Sequence, residues 1–174
     1  MTIHTIIRAG NPLLKAKAEK INDFSDNDLK TLIKDLFNTQ HFTQGVGISA
    51  PQIGISKSVL VYGFEKSERY PKMSPIPATI MINPKILKMS DEKVEWYEGC
   101  LSLTDLRGLV PRAASIEVAW QDQNGSGHQE TITGFEARII QHEVDHLQGI
   151  LFPERMKEMR SFGFFEELRK VGLI

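Results

Sequence analysis

Two histidines four residues apart carry the clearest chemical signal in this chain. They are His142 and His146, and Glu143 follows the first of them in a His-Glu-x-x-His pattern. On a helix, side chains four residues apart lie one above the other, so both imidazoles can bind one metal ion. Glu143 would then lie beside the metal, where its carboxylate can move a proton on or off a bound water molecule. The pattern indicates metal-assisted hydrolysis.

The helical wheel supports this interpretation. At about 100° per residue, both histidines and Glu143 share one arc with Phe135 and Ile139. The opposite arc holds polar side chains, namely Arg138, Gln141, Asp145 and Gln148. An ionised glutamate on a buried face is unfavourable unless it is paired or has a chemical role. The alternative interpretation is two core histidines beside one salt-bridged glutamate.

A catalytic metal also needs a third protein ligand and an open coordination position. A third histidine is excluded, because Phe152 occupies the place that one zinc-protease pattern gives to it. A glutamate from a later segment is one remaining candidate, and the chain offers Glu154, Glu158, Glu166 and Glu167. Cys100 is the other, because its thiolate suits a borderline-soft metal and Gly99 before it permits close backbone approach. Since a lone cysteine is usually a small buried hydrophobe, the spacing alone leaves both candidates open.

Length and composition set wider bounds. The 174 residues are predicted to form one domain spanning residues 1–174, with an ordinary 41% hydrophobic and 25% charged content. A net charge of −1 gives no reason to propose nucleic-acid or membrane binding. We find no apolar run of transmembrane length and no signal-peptide core. The single cysteine permits no internal disulfide, so we expect a reducing, cytoplasmic location.

Helices are predicted at both ends of a strand-rich middle. Ser25 can cap a helix that runs to about residue 40. Residues 45–52 are predicted to form a loop, because two glycines and a proline disfavour regular structure. The metal-motif helix should cover residues 134–149. After Pro153 we predict a charged C-terminal helix bearing Met156, Met159, Phe165 and Leu168.

Four short strands are predicted between these helices. They cover residues 58–62, 79–82, 115–120 and 128–133, and the last two form a hairpin. Asn83-Pro84 should stop the second strand. The strands are too rarely separated by helices for a doubly wound sheet. We therefore predict an α+β fold, with short mixed or antiparallel strands packed around a central metal-motif helix and with N-terminal and C-terminal helices.

Three segments together resemble the signature motifs of peptide deformylases, in the family's order. They are residues 45–52 (GVGISAPQ), 98–102 (EGCLS) and 141–147 (QHEVDHL). Two residues depart from the family's pattern: Ser49 stands where alanine is usual, and Thr104 stands where proline often follows the second motif. Neither position carries chemistry, so the departures bear on loop geometry.

The resemblance implies a role for each matching residue. Cys100, His142 and His146 would bind the metal, and Glu143 would act as general base and then as acid. The side-chain amide of Gln52 and the backbone N–H of Leu101 would form the oxyanion hole. The backbone around Gly47 would pair with an extended substrate. The predicted substrate contacts are Val46, Gly47, Ile48, Phe135 and Ile139, although Phe135 and Ile139 are about as readily explained by core packing.

The resemblance also implies the substrate and the metal. The substrate would be the N-formyl-methionyl end of a newly made polypeptide, with formate as a product and with the ribosome exit region as a candidate partner. A Cys/His/His set suits zinc by general coordination rules. The resemblance instead implies Fe²⁺ in the cell, with Zn²⁺, Ni²⁺ or Co²⁺ as substitutes. The alternatives are a zinc metallopeptidase with a downstream glutamate ligand, a structural zinc domain, and an inactive relative of the deformylases.

Overall fold

The computed structural model describes residues 2–174, which contain three α-helices and eight strands. The helices are α1 (Asn27–Phe42), α2 (Gly134–Leu147) and α3 (Phe165–Lys170). The strands are β1 (Gly47–Ser49), β2 (Val59–Phe64), β3 (Ile76–Met89), β4 (Lys93–Cys100), β5 (Leu103–Ala113), β6 (Ser115–Gln121), β7 (Gly127–Thr133) and β8 (Gly163–Phe164). A 3₁₀ turn at Ala50–Ile53 follows β1 directly.

The strands form two antiparallel sheets. One has five strands in the order β1-β2-β3-β6-β7, and the other has three in the order β4-β5-β8. Helices segregated from antiparallel sheets confirm the predicted α+β class. Strand β3 has 14 residues, which is longer than the predicted span of residues 79–82. Among residues 2–174, no helix is both long and apolar enough to cross a bilayer.

Helix α2 contacts strands of both sheets, which makes it the central element that was predicted. Ile139, Ile140 and Leu147 pack into the core of the five-stranded sheet. Most of the polar arc is buried as well: Arg138, Gln141 and Asp145 are only 6%, 4% and 7% exposed, and Gln148 at the end of the helix is exposed. The side-chain amide of Gln141 bonds both the N–H and the carbonyl of residue 113 in β5. The polar arc therefore faces the second sheet.

Helix α1 begins after a different capping residue from the one predicted. Asp26 is the N-cap, and its carboxylate accepts a hydrogen bond from the N–H of Asp28 at 2.8 Å. The hydroxyl of Ser25 donates instead to Asp23 at 2.7 Å. The predicted cap was wrong by one residue, because two neighbouring side chains of capping type compete for the same role.

The predicted end of β3 at Asn83-Pro84 was also wrong. The strand continues to Met89, and its pairing with β6 shifts between Ile82 and Lys85. Asn83 has a left-handed backbone with φ of 51°, and its side chain bonds both backbone groups of Ile21. A bulge leaves one residue unpaired, so the missing N–H of proline costs no ladder hydrogen bond there.

Several elements were missed or misplaced. Strands β4 and β5 were not predicted, and residues 45–52 contain strand β1 and the 3₁₀ turn where a loop was expected. The predicted C-terminal helix is broken into two 3₁₀ turns, strand β8 and the short helix α3. Of the four residues assigned to it, only Phe165 and Leu168 lie in an α-helix. Pairing of β8 with β5 explains this, since Leu106 and Arg107 supply a sheet edge for Phe164 and Gly163.

Candidate active site

Cys100, His142 and His146 lie together although they come from two elements. Cys100 ends β4, and both histidines project from α2. Their ligand atoms all lie within 4.8 Å of one another, and the Sγ of Cys100 is 3.2 Å from the Nε2 of His146. The three side chains thus converge on one point, as a metal site with three protein ligands requires.

The surroundings of Cys100 favour its thiolate form. Burial opposes ionisation, but His146 and His142 outweigh it and hold the pKa of the thiol well below its ordinary value. The N–H of Ser102 and the side-chain amide of Gln52 also point at Sγ, at 3.4 and 3.6 Å. A buried thiolate beside two imidazoles is the donor set of a soft or borderline metal, so these residues fit such an ion.

Glu98 fixes the orientation of His142. The Nδ1 of His142 lies 3.0 Å from Glu98 Oε2, which leaves its Nε2 available to the cluster. Burial by itself would raise the pKa of Glu98, but hydrogen bonds from His142 and Arg112 hold that pKa well below its ordinary value. Glu98 is therefore a stable acceptor, which favours one tautomer of the imidazole.

Glu143 has the environment of a proton carrier. Its side chain is 4% exposed, and within residues 2–174 its Oε2 has no hydrogen-bond partner. Burial raises its pKa above the ordinary value of a glutamate. A buried carboxylate that is free on one oxygen and has a raised pKa, adjacent to the Cys/His/His cluster, can accept and return a proton.

Gln52 is held so that its amide nitrogen faces the cluster. Its Oε1 accepts hydrogen bonds from the N–H and the hydroxyl of Ser49, at 2.9 and 3.1 Å. With the oxygen engaged, Nε2 points toward Cys100. Ser49 stands where alanine is usual in the family, and its hydroxyl therefore adds a second bond to the one that the backbone N–H already makes.

A cleft of about 580 Å³ opens over the cluster and contains most of the predicted site residues. Its lining includes Val46, Gly47, Gln52, Cys100, Leu101, Phe135, Ile139, His142 and Glu143. His146 lies just below, 1% exposed. Ile48 is the exception, because its fully buried side chain packs in the core beside α1 and does not line the cleft. Side chains alternate along a strand, so Ile48 points away from the face of its neighbours in β1.

The glutamates that were candidates for a third ligand lie elsewhere. Within residues 2–174, Cys100 and the two histidines of α2 form the group whose ligand atoms could share a metal. Glu154 instead binds Lys15 at 2.6 Å, and Glu158, Glu166 and Glu167 are exposed. The geometry therefore does not favour the metallopeptidase with a downstream glutamate ligand.

Comparison with known proteins decides the family. The family model of polypeptide deformylase matches residues 3–162, a range that contains the whole cleft. The chain belongs to the polypeptide deformylase family. It is therefore an enzyme of a metal-dependent hydrolase family, and the prediction made from the three motifs is confirmed.

Individual deformylases are similar to this chain over nearly their full length. Peptide deformylase 1 of Bordetella pertussis is 42% identical over 166 residues, which cover 95% of this chain and 94% of that protein. The peptide deformylase of Leptospira biflexa is 39% identical over 175 residues, which cover 99% and 98%.

Solved deformylase structures share the fold. A class I type b peptide deformylase from Acinetobacter baumannii with bound Met-Ala-Ser has a TM-score of 0.86 at 39% identity, covering 89% of this chain and 99% of that one. An inhibitor complex of the Plasmodium falciparum peptide deformylase has a TM-score of 0.79 at 31% identity, covering 95% of each chain.

Sequence reasoning missed part of the lining of this deformylase cleft. Tyr70 and Trp96 lie against Phe135, with ring centroids 4.7 and 5.9 Å away. Arg69, Tyr97 and Arg138 also line the cleft. Arg69 and Tyr70 come from a polar, proline-rich loop with no periodic pattern. Only the aromatic side chain of Tyr70 could have suggested that this loop lines a cleft. Glu98 stood within a quoted motif, yet its bond to His142 was not foreseen.

Proposed function

We propose that this chain hydrolyses the formamide bond at the N-formyl-methionyl end of newly made polypeptides and releases formate. The observation that carries the proposal is the single cleft in which Cys100, His142 and His146 meet beside Glu143 and Gln52. Membership of the deformylase family supports the proposal, because the matched residues 3–162 include all of these side chains. A formamide is a poor electrophile, so its hydrolysis needs an activated nucleophile, stabilisation of the oxyanion and protonation of the leaving amine.

The metal would be held by Cys100, His142 and His146. When bound, it supplies a Lewis acid that polarises an oxygen ligand and makes water nucleophilic at neutral pH. We propose Fe²⁺ in the cell, with Zn²⁺, Ni²⁺ or Co²⁺ as substitutes. Metal analysis of protein purified without air, followed by loss of iron and activity on exposure to oxygen, tests this choice. Zinc in place of iron as the main metal of protein purified without air would contradict it.

Glu143 and Gln52 would carry the proton and the developing charge. Glu143 would take the proton of the attacking water and deliver it to the nitrogen of the leaving amine, since its raised pKa suits both directions. The Nε2 of Gln52 and the backbone N–H of Leu101 would donate to the formyl oxygen as its charge grows. Ser49 keeps Gln52 in that orientation through its two hydrogen bonds.

Two free strand edges border the cleft and suit an extended peptide. β1 is an edge strand of the five-stranded sheet, and β4 is an edge strand of the three-stranded sheet. Gly47 of β1 and Gly99 of β4 both line the cleft. We propose that the substrate backbone pairs with these edges, while Val46, Phe135 and Ile139 enclose the methionine side chain. We also propose a cytoplasmic location, because a nascent peptide is the proposed substrate, and the ribosome exit region stays a predicted partner.

Formate release from a formyl-Met-Ala dipeptide tests the proposed function. We expect turnover by the metal-loaded enzyme, loss after chelation, and recovery when a metal ion is returned. Acetyl-Met-Ala and an internal Met-Ala bond serve as controls that should not be cleaved. Cleavage of the internal bond without formate release would overturn the proposal in favour of a peptidase.

A further inference from the structure

Arg138 is a buried cation on the metal-binding helix, one turn before His142. Its side chain is 7% exposed. One terminal nitrogen donates to Glu98 Oε1 at 2.6 Å and to the carbonyl of Val110 at 3.0 Å, and the other donates to the carbonyl of Val94. Arg138 therefore connects α2 to both β4 and β5 and to the carboxylate beside His142.

The carboxylate of Glu98 receives four hydrogen bonds, two on each oxygen. Oε1 accepts from Arg112 Nε at 2.9 Å and from Arg138. Oε2 accepts from the second terminal nitrogen of Arg112 at 2.9 Å and from His142 at 3.0 Å. Arg138 thus bonds one oxygen of Glu98 and His142 bonds the other. The bond from Arg138 therefore limits rotation of the whole carboxylate.

The second arginine that bonds Glu98, Arg112, is itself held by another carboxylate. Its remaining nitrogen bonds Asp145, whose carboxylate also accepts two hydrogen bonds from Arg155. The position of Arg112 is consequently tied to a second carboxylate. Arg138 has no acidic partner other than Glu98 among residues 2–174. Its charge is therefore directed at the group that orients His142.

We propose that Arg138 is a positioning residue, which locks the Glu98 carboxylate and through it holds the His142 imidazole in the orientation that binds the metal. This inference rests on the metal site of the proposed function. Partners of metal-ligating histidines commonly change metal affinity by about 10- to 100-fold when they are removed. A planar guanidinium with three acceptors in fixed directions suits this role better than a flexible ammonium.

The rate at which a chelator removes Ni²⁺ from the loaded protein tests the proposal without measuring activity. We expect Arg138→Met to lose nickel about 10-fold faster or more, and Glu98→Gln to do likewise. In the double variant, Arg138→Met should add nothing to the effect of Glu98→Gln, because both act through one carboxylate. Additive effects of the two changes would overturn the proposal and leave Arg138 with a structural role.

Arg155→Met is the matched control. Arg155 also bonds a buried carboxylate of α2, that of Asp145. Within residues 2–174, this carboxylate bonds the side chains of Arg112 and Arg155 and not a proposed metal ligand. The Arg155→Met protein should lose nickel at a rate within about twofold of wild type. A rate as high as that of Arg138→Met would overturn the proposal.

Arg138→Lys decides the question if Arg138→Met does not fold. The Arg138→Lys protein should lose nickel faster than wild type. Added to Glu98→Gln, the same substitution should leave the rate of nickel loss unchanged. Equal acceleration in both backgrounds would overturn the proposal. A wild-type protein that binds no nickel would instead contradict the metal site of the proposed function, so the two failures are distinguishable.

Discussion

Gln52 and Cys100, 48 residues apart in the chain, lie in contact, with the side-chain Nε2 of Gln52 3.6 Å from Sγ. The opposite end of the same amide is bound by Ser49. The contact therefore brings a fixed neutral donor to the edge of the proposed metal site. This is the location that an oxyanion donor needs.

Replacing Gln52 by Leu should lower turnover by about 100-fold, because it removes one oxyanion donor. Nickel content should not change, since Gln52 is not a ligand. Formate release and metal content measured on the same sample test this. Ser49→Ala is the milder companion variant: the backbone N–H of residue 49 still binds Oε1, so we expect a much smaller loss. Unchanged turnover in Gln52→Leu would remove Gln52 from the mechanism.

Glu143→Gln should keep the metal and lose turnover by about 100- to 10,000-fold, because no group remains to move the proton. The amide has nearly the size of the carboxylate, so the packing at this 4% exposed position is preserved. Since the buried carboxylate is desolvated, the variant should be no less stable in urea at neutral pH. Activity within tenfold of wild type would show that another group carries the proton.

Cys100→Ala should bind nickel much more weakly, because two imidazoles alone leave the site incomplete. In the wild-type protein, we expect the thiol to resist alkylation while its sulfur binds the metal. After chelation it should react, because its lowered pKa favours the thiolate. Mass spectrometry of the labelled protein measures both states. Tight nickel binding by Cys100→Ala, together with formate release, would contradict the three-ligand site.

Gly47→Ala should reduce turnover at least tenfold. A Cβ there would lie 2.8 Å from Glu143 Oε1 and 2.9 Å from a methyl carbon of Ile139. Such overpacking costs about 1–3 kcal/mol in well-packed regions, and here it would displace the proposed base. Formate release and urea denaturation measure the two effects.

Gly127→Ala is the control for this substitution. Gly127 also begins a strand, but a Cβ there would meet nothing within 4 Å, and its backbone is not left-handed. We expect unchanged turnover and stability. If both alanine variants behave like wild type, close approach at Gly47 has no role in catalysis.

The helix that carries the metal motif was predictable from the sequence, because helical spacing is a local property of the backbone. His142 and His146 share a face whatever surrounds them, and Glu143 is carried with them. The β6–β7 hairpin was predictable for the same reason, since strand alternation and a turn lie within one short segment. The three motifs further identified the family, and the matched residues 3–162 confirm it.

The tertiary structure alone decided which distant residues meet that helix. Spacing left Cys100 and the later glutamates open as ligands, and only the fold shows that β4 ends beside α2 while Glu154 pairs with Lys15. The wheel placed Arg138 on a polar arc, but the second sheet covers that arc and turns it into a buried contact with Glu98. Long-range packing determines which face an element buries, and residue spacing within one element carries no information about it.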